Sequence, residues 1–468
     1  MLSEIGLIGL GRMGRALAAN MVGRGVAVRA WDSSKAARDT AGRGEQGIAI
    51  CDDLAQLIKA LAPPRAVMLA VPAGDAVEIC LGALSGLLAA GDVIIDAGNS
   101  HYRDTERCQK DLAASGVDLV GLGVSGGPDG ARLGSSLMAG GSAAAWRRIG
   151  PTLEAIAAHT DDGPCAGRLG AGGAGHFVKT VHNGIEYAIM QILADAFEIL
   201  SQGCGMAAED IAQAFHDLDT GASAGFLTAL SAHVAAARDA DGSAFLIDVA
   251  NDRAGQTGTG RWAVEAALEF GVAVPTVAAA VEFRMLSAHD RLRREARDRE
   301  ATVIRPPALL RGETTPLLAP AIACAMASAF AQGFVLLAAA TDRFGEAIDR
   351  RRVALIWRAG SILRGNMVDR IADAFADEPA RVDLLGSARM RRLMADGITP
   401  LRRLAAAAIS VGLPVPGLSS AVGYADASGK LRLSTRFVQL QRKRFGGHGF
   451  RRVGGEATAD DAWREDAD

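Results

Sequence analysis

A single stretch of the chain concentrates side chains that could move protons and hold a polar ligand. These side chains are Lys179, His182, Asn183, Glu186 and Tyr187, spaced at i, i+3, i+4, i+7 and i+8. In an α-helix these positions share one face, while the residues between them are largely apolar, as in an interior helix. Burying an amine, an imidazole, an amide, a carboxylate and a phenol together is costly unless they line a wet cleft. The spacing therefore predicts a polar ligand site; the alternative is a solvated outer face.

Two polar loops follow predicted strands earlier in the chain. The first, Asp96–Ser100, contains Asn99 and ends a strand, which is where ligands bind in open α/β sheets. The second runs Gly123-Val-Ser125-Gly126-Gly127-Pro128 and can present consecutive backbone N–H groups to an anion. Both loops are candidate ligand contacts, although each could be only a turn.

A glycine-rich motif at the start of the chain predicts a dinucleotide site. Gly9-Leu-Gly11-Arg-Met-Gly14 follows one predicted strand and begins one predicted helix. In such motifs the first glycine makes the turn, the second admits the pyrophosphate and the third lets helix and strand pack closely. The residues expected to contact the cofactor are Gly9, Gly11, Arg12, Met13, Gly14, Asp32, Val71 and Asn99.

Asp32 ends the second predicted strand and predicts the cofactor preference. A carboxylate at this position accepts hydrogen bonds from an unmodified ribose and repels a 2′-phosphate. Ser33 and Ser34 follow it, although Lys35 or Arg38 could neutralise a phosphate. We therefore predict NAD as the preferred cofactor, with NADP possible; the alternative role for Asp32 is a helix cap.

The elements that must position these residues alternate in the first part of the chain. Alternation of strands with helices predicts an α/β, Rossmann-like domain with a parallel, doubly wound sheet, here assigned to residues 1–174. Predicted strands are Ile5–Gly9, Val26–Trp31, Ala66–Val71, Val93–Ala97 and Val117–Gly121. Predicted helices are 12–23, 52–61, 75–89 and 103–115.

Past a glycine-rich segment at 168–175, helical patterns replace strands and predict a large all-α domain at residues 175–435. Its predicted helices are 176–204, 207–218, 225–239, 261–270, 276–299, 319–344, 351–364, 366–375 and 390–411. A C-terminal tail follows at 436–468, with an acidic end at 456–468 that we expect to be disordered.

Composition excludes several classes of protein. The chain has 468 residues, 49% hydrophobic and 22% charged, with net charge −3, which is ordinary for a globular protein of two or three domains. The balance of charge gives no basic surface for nucleic acid, and the six scattered cysteines predict free thiols rather than disulfides or a metal site. Leu317–Ala340 is uncharged, but its alanines and Pro320 favour a buried helix over a membrane span. With a strand predicted from Ile5, we expect no targeting segment and a soluble, cytoplasmic protein.

Taken together, these motifs resemble decarboxylating 6-phosphogluconate dehydrogenases of the longer-chain type. The resemblance runs from Ile5 to about Phe450. It is carried by Ile94-Ile-Asp-Ala-Gly-Asn99, Gly123-Val-Ser-Gly-Gly127, Gly173-Ala-Gly-His176, Lys179, Val181-His-Asn-Gly-Ile-Glu-Tyr187, Gly258-Thr-Gly260 and Phe445-Gly-Gly-His448. The resemblance implies oxidation and decarboxylation of 6-phosphogluconate to ribulose 5-phosphate and CO2 without a metal.

The resemblance also implies roles for individual residues. Lys179 would be the general base and Glu186 the acid that protonates the enediol. The substrate's acid end and hydroxyls would be held by Asn99, Ser125, Gly126, Gly127, His182 and Asn183, and its phosphate by Tyr187, Thr259 and Arg284. Arg442 and His448 of the tail would reach the neighbouring subunit's site, which implies an obligate homodimer.

This chain departs from the family pattern at the cofactor and phosphate sites. Asp32-Ser33 stands where the family usually has Asn-Arg, and Pro72 replaces a lysine, both of which favour NAD. Thr257 stands where a lysine usually precedes Gly-Thr-Gly, so one phosphate-binding cation is missing.

Three other interpretations fit part of this pattern. A β-hydroxyacid dehydrogenase acting on a small unphosphorylated acid shares the glycine motif and the lysine, but usually has a shorter helical domain and no phosphate-binding tail. A catalytically silent dinucleotide sensor could lose Lys179 or Glu186, and both are present. Nucleic-acid binding through the tail's cations is weaker, since such cations more often form a local anion site or a solvated edge.

Overall fold

The computed structural model describes residues 1–44, 47–256, 258–296, 308–453 and 457–458. It divides into two compact units, Met1–Val422 and Gly423–Asp468. Thr257 and nearly all of the acidic end at 456–468 lie outside the described residues, so neither expectation is tested there. The proposed boundaries at 174 and 435 stay predictions.

The first unit begins with a twisted α/β sheet in which every predicted strand is present. Within the described residues the sheet has eight strands in the order β10-β7-β6-β5-β4-β1-β2-β3. They are β1 Glu4–Ile8, β2 Ala27–Trp31, β3 Ile48–Ile50, β4 Ala66–Leu69, β5 Val93–Asp96, β6 Asp118–Ser125, β7 Ser136–Gly140 and β10 Ala166–Arg168. Two short hairpin pairs lie outside it, β8 His159–Thr160 with β9 Gly163–Pro164, and β11 Phe450–Arg451 with β12 Ala457–Thr458.

One strand corrects the expectation of a wholly parallel sheet. Strands β1 to β6 pair in parallel, but β7 runs antiparallel to β6 and then pairs in parallel with β10. Strands β3, β7 and β10 were not predicted, because they are short or poor in β-branched residues. The predicted fold class is nevertheless confirmed, since the parallel run carries the glycine motif and both polar loops.

Helices cover both faces of this sheet. Leu7, Met68 and Ile95 belong to one buried cluster, and their chain neighbours Ile8, Leu69 and Ile94 belong to a second. Because successive strand residues point to opposite faces, burial of both sets requires a helical layer on each side. The helices of this part are α1 Arg12–Gly23, α2 Lys35–Gly44, α3 Leu54–Lys59, α4 Asp75–Leu84, α5 Tyr102–Ala113, α6 Gly127–Leu133 and α7 Ala143–Ile156.

The rest of the described chain is predominantly helical, as predicted. The helices are α8 Ala174–Glu198, α9 Ala208–Leu218, α10 Phe226–Ala236, α11 Leu246–Val249, α12 Thr259–Glu269, α13 Pro275–Ser287, α14 Asp290–Ala296, α15 Arg311–Ala339, α16 Arg350–Trp357, α17 Asn366–Asp377, α18 Ala388–Ser410, α19 Pro416–Ser428 and α20 Thr435–Gly446. A π-helical segment Ile199–Gly203 continues α8, and Gly221–Ser223 forms a 3-10 turn. Helix α15 is long and apolar enough to cross a membrane, but 89% of its most apolar window is buried inside the structure, as expected of a core helix.

The helix predicted at 351–364 is too long. Helix α16 ends at Trp357, and residues 358–364 form an irregular loop before α17. Gly360 has φ +62°, and a Cβ there would lie 2.5 Å from the Gly134 carbonyl oxygen. The backbone therefore leaves the helix to pass close to the chain at the start of β7, and only glycine fits. The predicted 276–299 helix also divides, into α13 and α14, and residues 297–299 lie outside the described part.

Candidate active site

Helix α8 carries the polar face and lies directly against the sheet. A Cβ at Gly123 of β6 would lie 2.5 Å from the Cβ of Lys179 and 3.1 Å from the Gly175 carbonyl oxygen. Gly175 in turn packs against the backbone of Gly121 and Met138. These small residues let the helix backbone approach β6 and β7 closely, and place Lys179 beside β6, whose carboxyl end is Ser125.

The amine of Lys179 is held in a low-dielectric environment. The residue is only 7% exposed, and burial lowers the pKa of its amine from 10.5 to about 8, although the Glu186 carboxylate acts in the opposite direction. A substantial share of the amine is therefore neutral at mildly alkaline pH, and a neutral amine can accept a proton.

His182 lies between the two groups that could exchange protons. Its Nδ1 is 3.4 Å from Lys179 Nζ, 3.3 Å from Asn183 Oδ1 and 3.6 Å from Glu186 Oε2. Its Nε2 is 3.0 Å from Ser125 Oγ, and its ring meets Trp357 edge-on. Burial, with help from the Lys179 charge, holds the pKa of this imidazole well below its usual range, so the ring is neutral.

Lys179, His182 and Glu186 form a row of side chains along α8. Glu186 is the more accessible end of this row, with its side chain 22% exposed. Burial raises the pKa of its carboxyl group above the usual value, while the Lys179 and Arg284 charges partly offset the rise. Burial thus favours the neutral form of both the amine and the carboxyl group. Such a pair can act as base and acid on one substrate.

Tyr187 directly follows Glu186 on α8, and residues of α12 and α13 pack on its ring. The Arg284 guanidinium lies 3.5 Å from the centroid of the Tyr187 ring, and Gly260 packs closely on that ring. Thr259 is buried at the first turn of α12, whose N-terminal N–H groups and dipole favour an anion. A cation, two hydroxyl groups and a helix N-terminus are the groups that bind a phosphate.

The dinucleotide motif has the geometry that its sequence predicts. Gly9 has φ +102° and packs on the Ala70 carbonyl, and Gly14 packs against the backbone of Gly9. A Cβ at Gly11 would meet nothing within 4 Å, so open space lies at the N-terminus of α1, where a pyrophosphate would fit. Arg12 and Met13 form the first turn of that helix.

Asp32 is tied to the same loop. Its carboxylate accepts hydrogen bonds from the Leu10 N–H at 2.7 Å and the Ser34 N–H at 2.8 Å. The predicted alternative, a helix cap, is not its arrangement, because Leu10 and Ser34, whose N–H groups it accepts, both lie outside α2. Arg38 donates to the carbonyls of Asp32 and Ser33, and Lys35 pairs with Asp39.

The remaining predicted contacts follow neighbouring parallel strands. Val71 follows β4, Asn99 follows β5, and Gly126 and Gly127 follow β6. The carboxyl ends of parallel strands share one edge of the sheet, so these residues lie along the edge that carries Gly9 and Asp32. Asp96 shapes the Asn99 loop by accepting the Gly98 N–H at 3.0 Å and the Ser100 hydroxyl at 2.6 Å.

Two predicted residues belong to the second unit. Arg442 lies on α20 and His448 follows that helix, and both are exposed. Their proposed place in a neighbouring subunit stays a prediction.

Sequence reasoning missed the 358–364 loop, which reaches the site. Ser361 Oγ lies 2.9 Å from His182 Nε2, and the Ile362 N–H donates to Ser125 Oγ at 3.2 Å. A lone serine within an apparently helical stretch gave no signal, and only Gly360 hinted that the helix ends early.

Comparisons with known families cover both parts of the chain. The family model described as "NAD binding domain of 6-phosphogluconate dehydrogenase" matches residues 4–170. The model described as "6-phosphogluconate dehydrogenase, C-terminal domain" matches residues 175–463.

Individual relatives match along nearly their whole length. "6-phosphogluconate dehydrogenase, decarboxylating" of Synechocystis sp. is 38% identical, over 96% of this chain and 94% of that protein. The Bacillus subtilis relative, named as NADP(+)-dependent, is 33% identical over 98% of this chain and 99% of its own. The solved structure of Plasmodium falciparum 6-phosphogluconate dehydrogenase, described with NADP+ and with 6-phosphogluconate, has a TM-score of 0.92 at 30% identity and covers 97% of this chain and 98% of that one.

Proposed function

The chain belongs to the decarboxylating 6-phosphogluconate dehydrogenase family, and we propose that the polar face of α8 carries out its chemistry. The enzyme oxidatively decarboxylates 6-phosphogluconate and reduces a nicotinamide dinucleotide. The alternative, a β-hydroxyacid dehydrogenase acting on a small unphosphorylated acid, is less supported, because relatives along the full chain are named for 6-phosphogluconate.

In the proposed mechanism neutral Lys179 takes the proton of the substrate's C3 hydroxyl. The nicotinamide, when bound, would accept the hydride that leaves C3. The resulting 3-keto acid loses CO2, and the Lys179 ammonium donates to the ketone oxygen as an enediol forms. Glu186 in its protonated form then gives a proton to C1 of the five-carbon enediol while neutral Lys179 takes back the proton that it gave to the ketone oxygen, which yields ribulose 5-phosphate. The observation that carries this proposal is the row of Lys179, His182 and Glu186, in which burial favours neutral forms of both the amine and the acid.

We propose that the remaining residues bind the two ends of the substrate. Ser125, His182 and Asn183, with Asn99 and the Gly126-Gly127 turn, hold the carboxylate and hydroxyls, because these groups lie around Lys179 or at the adjacent sheet edge. Tyr187, Thr259 and Arg284 hold the phosphate, since a cation and a helix N-terminus meet there.

The test of this function compares substrates directly. Turnover with 6-phosphogluconate, gluconate and 3-hydroxyisobutyrate is measured with each cofactor while CO2 release is followed. We expect efficient CO2 release from 6-phosphogluconate alone, because gluconate lacks the phosphate that Arg284 and Thr259 would bind. Preferential oxidation of 3-hydroxyisobutyrate would instead favour the alternative dehydrogenase.

We propose NAD as the preferred cofactor, although the compared Bacillus subtilis and Plasmodium falciparum proteins are named or solved with NADP+. The support is Asp32, whose carboxylate lies at the glycine loop while Arg38 and Lys35 are engaged with other oxygens. The Asp32 carboxylate would repel a 2′-phosphate there.

The cofactor proposal is tested with Asp32→Asn, which removes the charge and keeps an acceptor for the Leu10 N–H. We expect a higher kcat/KM with NAD than with NADP in the wild type, and a ratio that moves toward NADP by roughly tenfold or more in the variant. A wild-type preference for NADP would overturn the proposal.

We further propose a cytoplasmic homodimer in which the tail of each subunit completes its partner's site. Helix α20 exposes large apolar side chains within its own unit, including Phe437 at 66% and Phe445 at 77% exposed. Apolar side chains on such a face are typical of a surface that packs on another chain.

A further inference from the structure

Within the described part of the chain, Ser361 is the side chain of the 358–364 loop that contacts the imidazole of His182. It is fully buried, and its Oγ lies 2.9 Å from His182 Nε2 while accepting the Leu363 N–H at 3.0 Å. The hydroxyl hydrogen of a buried serine is normally donated, and the acceptor that the described residues offer it is Nε2.

Ser125 competes for the same ring nitrogen. Its Oγ lies 3.0 Å from Nε2 and accepts the Ile362 N–H. The lone pair of a neutral imidazole nitrogen accepts one hydrogen in good geometry, so both hydroxyl groups cannot donate there. Within the described residues Nε2 is the acceptor recognised for the Ser361 hydroxyl, whereas Ser125 lies at the sheet edge where the substrate is proposed to bind.

The position of the hydrogen on the His182 ring decides whether an N–H donor or a lone pair of Nδ1 faces the Lys179 amine. If Nε2 accepts from Ser361, the single ring hydrogen lies on Nδ1, 3.3 Å from Asn183 Oδ1 and 3.4 Å from Lys179 Nζ. An N–H dipole directed at this amine disfavours its ammonium form. Among the described residues, the charged groups that influence Lys179 and Glu186 are these two themselves and Arg284 on α13, while Arg364 of the loop stacks on Phe226.

We propose that Ser361 is a positioning residue that holds His182 in the Nδ1–H tautomer, so that an N–H donor faces Lys179 and the Ser125 hydroxyl hydrogen is left for the substrate. This inference rests on the base role proposed for Lys179.

The test compares Ser361→Ala with Ser361→Cys, a near-isosteric change that keeps only a weak donor. Without the hydroxyl, His182 either takes the Nε2–H tautomer, whose Nδ1 lone pair stabilises the Lys179 ammonium, or captures the Ser125 hydrogen. The first outcome moves the acid limb of kcat/KM to higher pH, so that activity on that limb falls about three- to tenfold relative to the plateau. The second raises KM for 6-phosphogluconate, and both support the proposal. The cysteine variant should show the same change at smaller size.

Ser328→Ala is the matched control, because Ser328 is equally buried and loses one hydrogen bond, to the Cys324 carbonyl, outside the site. It should leave the pH profile and KM unchanged. A Ser361→Ala variant whose kcat/KM falls by one factor at every pH, with KM unchanged, would show a merely structural role and overturn the proposal.

The ring tautomer is also read directly by 15N NMR of histidine-labelled enzyme, with His182 assigned through a His182→Gln variant. We expect the Nδ1–H form in the wild type; the Nε2–H form would overturn the proposal. This measurement does not depend on catalysis, so it separates failure of the Ser361 role from failure of the base role of Lys179, which would appear as turnover by a Lys179→Met variant.

Discussion

Burial has opposite effects on the two ionisable groups that are proposed to exchange protons with the substrate. It lowers the pKa of the Lys179 amine to about 8 and raises that of the Glu186 carboxyl group. Each group is thereby moved toward the form that its step requires, a neutral base and a protonated acid. No other charged group is needed to explain the direction of either shift, since burial is the largest cause of both.

The hydride-transfer step should depend on the Lys179 amine. Below the pKa the amine is an ammonium and cannot accept the C3 hydroxyl proton, so the single-turnover rate of cofactor reduction should rise with pH and level off above about 8. Lys179→Met should lower this rate by roughly 100- to 10,000-fold while NAD binding persists. Substantial turnover by the variant would remove the lysine from its role.

Burial of the Lys179 ammonium should also lower the free energy of unfolding. Its pKa is lower in the folded chain, at about 8, than the ordinary value of 10.5, so the folded state holds fewer protons between these pH values. The free energy of unfolding should therefore rise as the pH increases from about 8 to 10.5. At neutral pH the amine is charged in both states, so the full cost of burying that charge remains. Lys179→Met should raise the free energy of unfolding near pH 7 by about 1–3 kcal/mol and remove the rise above pH 8. Chemical denaturation at several pH values checks this, and a destabilised variant would contradict it.

Glu186→Gln separates the last proton transfer from the first. The amide keeps the shape of the side chain but cannot deliver a proton, so cofactor reduction should persist in a first turnover while release of ribulose 5-phosphate slows. Rapid-quench analysis of reduced cofactor against product measures the two steps. An unchanged kcat would count against the proposed acid.

At the scale of elements, the position of α8 depends on glycines that face it. Gly123 of β6 allows contact with Lys179, and its replacement by alanine places a methyl group 2.5 Å from the lysine Cβ and 3.1 Å from the Gly175 carbonyl oxygen. Neither neighbour is the far end of a flexible side chain, so the helix must move.

Gly123→Ala should therefore destabilise the fold by about 1–3 kcal/mol and lower kcat by displacing Lys179. Gly82→Ala is the matched control, because Gly82 is an exposed position of α4 with nothing within 4 Å of an added Cβ. It should stabilise the fold by about 0.5–1 kcal/mol and leave kcat unchanged. Equal effects of the two substitutions on kcat would show that the close packing of α8 is not what positions the lysine.

Elements with strong local patterns were predictable, and those held by tertiary contacts were not. The glycine motif, the parallel strands and the polar face of α8 each follow from spacing within one segment, and all are present. Strand β7 was missed because Ser136–Gly140 has little β-branched character and forms by pairing with β6. The 358–364 loop was missed because its departure from helix depends on contact between Gly360 and the Gly134 carbonyl, more than 200 residues away in sequence.

At the scale of the whole molecule, the catalytic row and the tail proposed to complete the partner's site belong to different units of the chain. The row lies in Met1–Val422, and Arg442 and His448 lie in Gly423–Asp468. If each tail serves its partner, a truncated chain of residues 1–435 should bind cofactor but show a sharply raised KM for 6-phosphogluconate. Truncation alone does not tell whether a tail serves its own subunit or its partner's.

Complementation between two inactive variants distinguishes these arrangements. A Lys179→Met subunit supplies an intact tail, and an Arg442→Ala subunit supplies an intact lysine, so a mixed dimer with exchanged tails contains one complete site. Random reassociation of equal amounts should recover about a quarter of wild-type activity at low substrate, because half of the dimers are mixed. Lys179→Met mixed with Glu186→Gln is the control and should recover nothing, since both lesions lie on the same α8 face and neither tail is damaged. If the first mixture also stays inactive although native mass spectrometry shows mixed dimers, each tail serves its own subunit and the exchange is wrong.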